Sequence, residues 1–274
     1  MTKGVLYVGT ADRFIDEAIE SAKSIKGQCD LPIAIAAHRD IDSPYVDKVI
    51  ELADPDYGFA DKVTAIPQSP WERTLYLDTD TYIDGDILPI FDLLDRVDVA
   101  VAHAPNRDEP QRIQDEIPET FPEFNLGVIA YKDSQNTREL LNLWEKKYRK
   151  YENNATDQPA FREAAWKFEN IDIGTLPPEY NMFFNPVGFA AGRVKIFHGR
   201  VHDIESEGGR QRFQLEHIVS KINQTTRPRV FFHSYTGGMR LVTNKTKLLR
   251  NIPIRLRQQG IAATLLKVRN KIFS

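Results

Sequence analysis

Short apolar runs alternate with amphipathic stretches along most of the chain. Val5 to Val8 is an unbroken apolar run, as in strands covered on both faces. Phe14, Ile15, Ala18, Ile19 and Ala22 then repeat at helical spacing, and Gly27 predicts the end of that helix. Leu31 to Ala37 reads as a second buried strand. Ser43 and Pro44 suit a helix entry ahead of Val46, Val49, Ile50 and Ala53. Phe59, Val63 and Ile66 predict a short helix that carries Lys62 on another face. Leu75, Tyr76 and Leu77 make a buried strand that runs into Asp78 and Asp80, with Asp84-Gly85 as a bend. A helix with Ile87, Ile90, Phe91 and Leu94 follows, then strands from Val97 to Ala104 and from Asn125 to Tyr131. Leu140, Leu141, Trp144 and Tyr148 mark an amphipathic helix whose Trp belongs to the core. Asp157 opens another, with Phe161, Ala164, Ala165 and Phe168 facing inward. Strands from Val194 to His198 and from Val230 to Tyr235, with a polar helix near 211–223 between them, complete the body.

Strands that alternate with helices at this spacing predict an α/β fold, a Rossmann-like domain with a mainly parallel central sheet flanked by helices. Composition leaves that picture unchanged: 41% hydrophobic and 27% charged over 274 residues suit a globular domain with a large core. No apolar run approaches the ~20 residues that span a bilayer, and the run after Met1 is too short for a signal peptide. One cysteine, Cys29, excludes an internal disulfide and suits a reducing, cytoplasmic compartment. In that setting the glycosylation-like triplets at Asn154, Asn223 and Asn244 read as chance.

Charge does change the picture. Residues from Arg240 to the end hold nine of the 36 basic residues and none of the 39 acids, so the rest carries 27 against 39. The expected organisation is a body over 1–238 and a basic amphipathic, helical C-terminal tail over 239–274. Leu248, Leu249, Ile252, Ile254, Leu256, Ile261, Leu265, Leu266, Val268 and Ile272 interleave with its cations, while Pro253 and Gly260 interrupt it. This suits either a peripheral contact with an anionic membrane at its inner face or packing against the acidic body. The tail's only aromatic is Phe273, so nucleic acid is not an expected partner. Between the strands, residues 105–123 hold four prolines and six acids and predict a long surface loop, either a lid or a solvated excursion.

Candidate chemistry centres on Asp78 and Asp80, two hard oxygen ligands at a strand's carboxyl end, where α/β folds bind ligands. Alone, the pair also reads as a polar turn. A calcium loop fails on spacing: counted from Asp80, the third position is Tyr82 and the residue six after Gly85 is Phe91. A phosphohydrolase with Asp78 as nucleophile would want Thr or Val at Tyr82 and a later acidic pair; no Asp-Asp occurs in the chain.

Leu75-Tyr-Leu-Asp-Thr-Asp80 resembles the Asp-x-Asp signature of the GT-A glycosyltransferases, in the retaining group that includes glycogenin and the lipopolysaccharide galactosyltransferases. Other stretches follow in that family's order over residues 5–200: Gly9-Thr10-Ala11-Asp12, Lys62, Phe124-Asn-Leu-Gly-Val128, Thr156-Asp157-Gln158-Pro159 and Lys195-Ile-Phe-His198-Gly199. The resemblance implies that Gly9, Thr10, Ala11 and Asp12 hold the nucleotide base, and that Lys62 and Arg200 contact the diphosphate. It implies Asp78, Asp80 and His198 as ligands of Mn²⁺ or Mg²⁺; His233, whose flanks lack the family match, is the competing third ligand. Asn125 and Asp157 would hold donor-sugar hydroxyls, Gln158 would sit near the anomeric carbon, and His103 would face the acceptor. The implied activity is transfer, with retention, from a nucleotide-diphosphate sugar, a UDP-sugar by analogy, to a glycan or lipid-linked acceptor. Bland readings stand beside these: Asn125 as a turn residue, Asp157 as a helix cap, His198 as a packed core residue. Phe14 departs from the family's Tyr, and Val201-His202 from its Pro-Trp. A catalytically silent sugar-nucleotide binder on the same fold is the alternative from outside enzymology.

Overall fold

A computed structural model describes residues 1–105, 114–151, 156–183, 187–199, 218–233 and 239–243. Its centre is a seven-stranded sheet of β1 (Lys3–Val8), β2 (Ile33–Ala37), β3 (Lys48–Glu51), β4 (Arg73–Leu77), β6 (Val99–His103), β7 (Phe124–Lys132) and β8 (Ile173–Thr175). They lie in the order β3-β2-β1-β4-β7-β6-β8. All neighbours are parallel except β7, which runs antiparallel to both β4 and β6. The sheet is therefore mixed but mostly parallel. Burial shows that both of its faces are covered: every residue of β2 is buried, and β7 is buried from Phe124 to Tyr131.

Helices cover both faces. One cluster packs α1 (Asp12–Lys26) and α3 (Pro89–Leu93) against the sheet through Ile15, Ala18, Ala22, Ile25, Ile90 and Phe91. The other packs α2 (Phe59–Ala65), α4 (Gln135–Lys150) and α5 (Gln158–Lys167) through Val63, Leu140, Trp144, Phe161 and Ala164. Trp144 is fully buried, as the helical spacing predicts, and its indole N–H donates to the carbonyl of Asp157 at 3.1 Å. Two three-stranded sheets extend the fold: β5 (Thr81–Ile83), β11 (Ile196–His198) and β9 (Met182–Phe183), and β10 (Val187–Ala190), β12 (Arg229–His233) and β13 (Met239–Thr243). A helix over 218–223, α6, packs Val219 and Ile222 with Met182, Val194 and Phe197.

Several elements depart from the sequence pattern. The expected helix after Pro44 is instead a turn, closed by Val46 N–H to Ser43 O, followed by β3 at the sheet edge. The β-branched Val49 and Ile50 pair with Ile35 and Ala36 of β2, and tertiary pairing outweighs the cap-like Ser-Pro signal. Gly27 ends α1 with φ −74°, an ordinary right-handed value, because Gln28 and Cys29 continue the turn onto Ile25 O. β5 has no counterpart among the elements expected from the sequence. β13 occupies the first residues of the basic segment; 244–274, on which the tail reading falls, lies outside the described residues, as do 211–217 of the polar helix and 106–113 of the long loop. The rest of that loop is tied down by a buried arginine: Arg162 donates to Phe121 O at 2.7 Å, Gln114 Oε1 at 3.1 Å and Pro118 O at 3.2 Å. Among the described residues no helix is long and apolar enough to cross a membrane.

Candidate active site at the carboxyl edge of the sheet

The parallel strands of the central sheet present their carboxyl ends at one edge, and β4 delivers Asp78 there. The chain turns through Thr79 and Asp80 and returns as β5. β11 pairs antiparallel with β5, setting His198 opposite Thr81, one residue from Asp80. That pairing, between segments more than a hundred residues apart, carries the imidazole to the carboxylates. His198 Nε2 lies 3.5 Å from Asp78 Oδ2 and 3.5 Å from Asp80 Oδ1. Among the described residues these three form the one cluster of this kind, with ligand atoms all within 4.8 Å of one another.

Two glycines make room for the ring. A Cβ on Gly127 would lie 1.9 Å from His198 Cε1, so β7 leaves a notch that the imidazole fills. Gly199, immediately after the histidine, turns the chain away with φ +115°, a conformation that side chains disfavour. Phe183 packs edge-on against the ring at 5.1 Å, and Asn181 Oδ1 lies 2.9 Å from Nδ1.

Lys62 is the cationic counterpart. It is buried at 6% exposure on α2, with its ammonium 3.1 Å from Asp78 Oδ1, 3.0 Å from Asp157 Oδ2 and 2.9 Å from Leu126 O. The contact to Leu126 O is a hydrogen bond, and the two carboxylate contacts are close ion pairs. Burial alone would pull the Lys62 ammonium down, but the Asp157 and Asp78 carboxylates outweigh it and raise its pKa. Asp157 stands at the start of α5 without capping it; its side chain turns to Lys62 instead. Burial raises the Asp157 pKa, with Lys62 pulling the other way and the nearby Asp78 charge adding to the rise. For Asp78 burial also pushes upward, yet Lys62, His198 and the Tyr76 hydroxyl, 2.6 Å from Oδ1, hold it well below the usual carboxylate range. Burial opposes the imidazolium of His198, and the Asp80 and Asp78 carboxylates raise its pKa nonetheless.

A cleft of about 310 Å³ opens over these groups, within the range of small-molecule sites. Lys62, Asp78, Asp80, Asn125, Asp157, Gln158 and His198 all line it. Gly9, Thr10, Ala11 and Asp12 do not; they lie beyond the adjacent end of β1, where Asp12 accepts from Arg39 Nε at 2.7 Å. Arg200 and His202, and the side chain of His233, lie outside the described residues. His103 stacks on Phe124, ring centroids 5.2 Å apart. Asn125 accepts the Gly127 N–H on its own Oδ1 at 3.1 Å, a local turn contact, and also lines the cleft. Sequence reasoning missed Asn181 as part of the site, and it gave Tyr76 and Gly127, which fall within the quoted motif stretches, no role of their own. Gly127 alone left a signal, as a glycine inside a buried strand.

The arrangement suits a divalent cation. With Lys62 set against Asp157, Asp78 and Asp80 retain two negative charges in a partly buried cleft, and two carboxylates with one imidazole are a donor set for such an ion. Bound there, the cation would supply Lewis-acid stabilisation of negative charge on a ligand oxygen.

The mixed, mostly parallel sheet with its one inserted antiparallel strand gives a GT-A-like fold, similar to that of solved glycosyltransferases. The structure is similar to that of the galactosyltransferase LgtC, solved with donor and acceptor sugar analogues, with TM-score 0.56 and 12% identity over 81% of this chain and 96% of LgtC. It is also similar to the glycosyltransferase GlyE of Streptococcus pneumoniae TIGR4, with TM-score 0.52 and 19% identity over 78% of this chain. The chain spans 60% of the length of GlyE. No protein-family model matches the chain, and no curated protein matches it in sequence.

Proposed function

We propose that the protein is a metal-dependent glycosyltransferase that moves a sugar from a nucleotide-diphosphate donor, a UDP-sugar, to a glycan or lipid-linked acceptor with retention. The observation that carries this reading is the meeting of Asp78, Asp80 and His198 at the ligand-binding edge of a GT-A fold. Mn²⁺ or Mg²⁺ fits mixed oxygen and nitrogen ligation, with the imidazole favouring Mn²⁺. Asn125 and Asp157 then hold donor hydroxyls and Gln158 lies by the anomeric carbon. Lys62, which lines the cleft, contacts the diphosphate, and through its direct contact with Asp78 it is also the counter-ion that keeps that carboxylate ionised beside a buried Asp157. The sugar–phosphate C–O bond breaks and the acceptor oxygen bonds to the same face of the anomeric carbon, its proton passing to the departing phosphate oxygen. Gly9 to Asp12 would bind the base and Arg200 the diphosphate. The division into a body over 1–238 and a basic tail over 239–274 belongs to the same proposal: β13 ties 239–243 to the body's sheet, and the cations beyond it suit either an anionic membrane on the cytoplasmic side or packing against the acidic body.

The test is a panel of UDP-, GDP- and ADP-sugars incubated with and without Mn²⁺, read as nucleoside diphosphate release. Slow hydrolysis with one donor is expected, lost by roughly 100-fold or more in Asp80→Asn. Binding of UDP and Mn²⁺ without turnover of any donor would make the protein a silent binder. Asp78-dependent cleavage of p-nitrophenyl phosphate would make it a phosphohydrolase.

A further inference from the structure

Asn181 sits between the two halves of the cleft. It is buried at 5% exposure, and its amide makes contacts of opposite kinds. Its Nδ2 donates to the backbone carbonyl of Asn125 at 2.9 Å, an atom that only accepts. Exchanging the amide oxygen and nitrogen would set two acceptors against each other at that distance. The oxygen therefore faces His198, where Oδ1 lies 2.9 Å from Nδ1. An acceptor there requires the hydrogen on Nδ1. The lone pair of the neutral ring is then on Nε2, the edge turned to Asp78 and Asp80.

We propose that Asn181 is a positioning residue that fixes His198 as the Nδ1–H tautomer, so that Nε2 is the ligating atom, and ties that ring to the sugar-facing Asn125. The inference rests on reading Asp78, Asp80 and His198 as a cation site, and Asn181 does for His198 what a hydrogen-bonded outer partner does for a metal-bound histidine. The second link runs through side chains. Asn181 Nδ2 also lies 3.3 Å from Asn125 Oδ1, which accepts the Gly127 N–H as well. With its oxygen committed on the protein side, Asn125 has its NH₂ left for a ligand in the cleft it lines. A continuous run of polarised groups thus joins the cation side of the cleft to the sugar side.

Two substitutions separate this role from mere filling of a buried polar site. Asn181→Asp keeps an acceptor against Nδ1–H but replaces the donor to Asn125 O with a second oxygen set against that carbonyl, a repulsion the unfolding check registers; Asn181→Leu gives up both contacts. Mn²⁺ binding is read by electron paramagnetic resonance on the full chain, with thermal unfolding as the check on folding. The ring tautomer is read from ¹⁵N shifts of His198 in metal-free protein at high pH. The expected result is Mn²⁺ affinity within about threefold of wild type for Asn181→Asp and roughly 10–100-fold weaker for Asn181→Leu. The wild type and Asn181→Asp should both show the Nδ1–H pattern. Equal affinity in wild type and Asn181→Leu overturns the inference. So does equal loss in both variants, or an Nε2–H pattern in the wild type, which stays readable even where Asn181→Leu fails to fold. A wild type that shows the Nδ1–H pattern but binds no Mn²⁺ would overturn the cation site itself.

Discussion

At the scale of single residues, the site depends on how little space surrounds His198. The notch at Gly127 has no room for a methyl group: the added carbon would lie 1.9 Å from one ring carbon, with Nε2 and Nδ1 at 2.3 and 2.5 Å. Gly127→Ala must push the ring off the carboxylates or spread β7 from β11. Overpacking of this kind costs about 1–3 kcal/mol. The expected outcome is a lower unfolding midpoint together with Mn²⁺ affinity reduced by at least tenfold, measured by denaturant titration and by paramagnetic resonance. Unchanged Mn²⁺ affinity in a folded Gly127→Ala protein would mean that the ring does not ligate from the notch. Tyr76 belongs to the same scale. Its hydroxyl bonds Asp78, and burial and that carboxylate together raise its pKa well above the ordinary value. It therefore stays protonated and donates to Asp78 throughout the working pH range.

At the scale of elements, α4 and α5 are joined by a small ionic network that can be titrated away. Glu163 on α5 accepts from Lys147 Nζ at 2.6 Å and from the Tyr151 hydroxyl, and pairs with Lys167 at 3.0 Å. Burial pushes its pKa upward, but the bonds from Lys147, Tyr151 and Lys167 outweigh it and bring it from 4.5 down to about 2. A depressed carboxylate stabilises the fold fully above its unfolded pKa and loses that contribution as pH falls toward its folded one. The network should therefore act in full above pH 4.5 and fade between 4.5 and about 2. Glu163→Gln is expected to cost about 1–2 kcal/mol at pH 7, and in urea unfolding the gap to wild type should narrow at pH 3 and close only as pH approaches about 2. A gap of the same size at both pH values would assign the cost to packing instead. Because α5 begins at Asp157 and Gln158, this network also holds one wall of the cleft.

Elements are also where sequence reading succeeds and fails for different reasons. Local patterns carry burial and period, so β1, α1, β4, β7 and α4 are legible from their apolar spacing. Local patterns do not carry strand direction. Nothing in the residues of β7 says that it enters the sheet antiparallel between β4 and β6. The turn after Pro44 has a helix-like start, and the edge of β2 claims Val49 and Ile50 for a strand. β5 is three residues long and its sequence reads as the approach to a bend, yet it is the element that recruits β11 and with it His198. The motif at Asp78 and Asp80 is legible because it is contiguous. Asn181 is not, because its two partners come from β7 and β11 and only the folded chain joins them.

At the scale of the whole molecule, one edge of the sheet gathers carboxylates from β4 and its following turn, a lysine from α2, an aspartate from the start of α5 and a histidine from β11. The cost of grouping three acids is offset by one buried ammonium and, once the proposed site is loaded, by a divalent cation. Ligands that bind only the folded chain stabilise it by mass action. Mn²⁺ and UDP together should therefore raise the unfolding temperature by more than the sum of their separate effects, since each would complete the other's coordination. Strictly additive shifts would separate the nucleotide from the cation and weaken the proposed diphosphate bridge.

Anomalous diffraction from crystals grown with Mn²⁺ and UDP tests the proposed metal site at the level of atoms. One strong manganese peak is expected between the carboxylates of Asp78 and Asp80 and Nε2 of His198, with the diphosphate on its open side. A peak elsewhere in the cleft, or a well-ordered nucleotide with no metal between these three side chains, would contradict it.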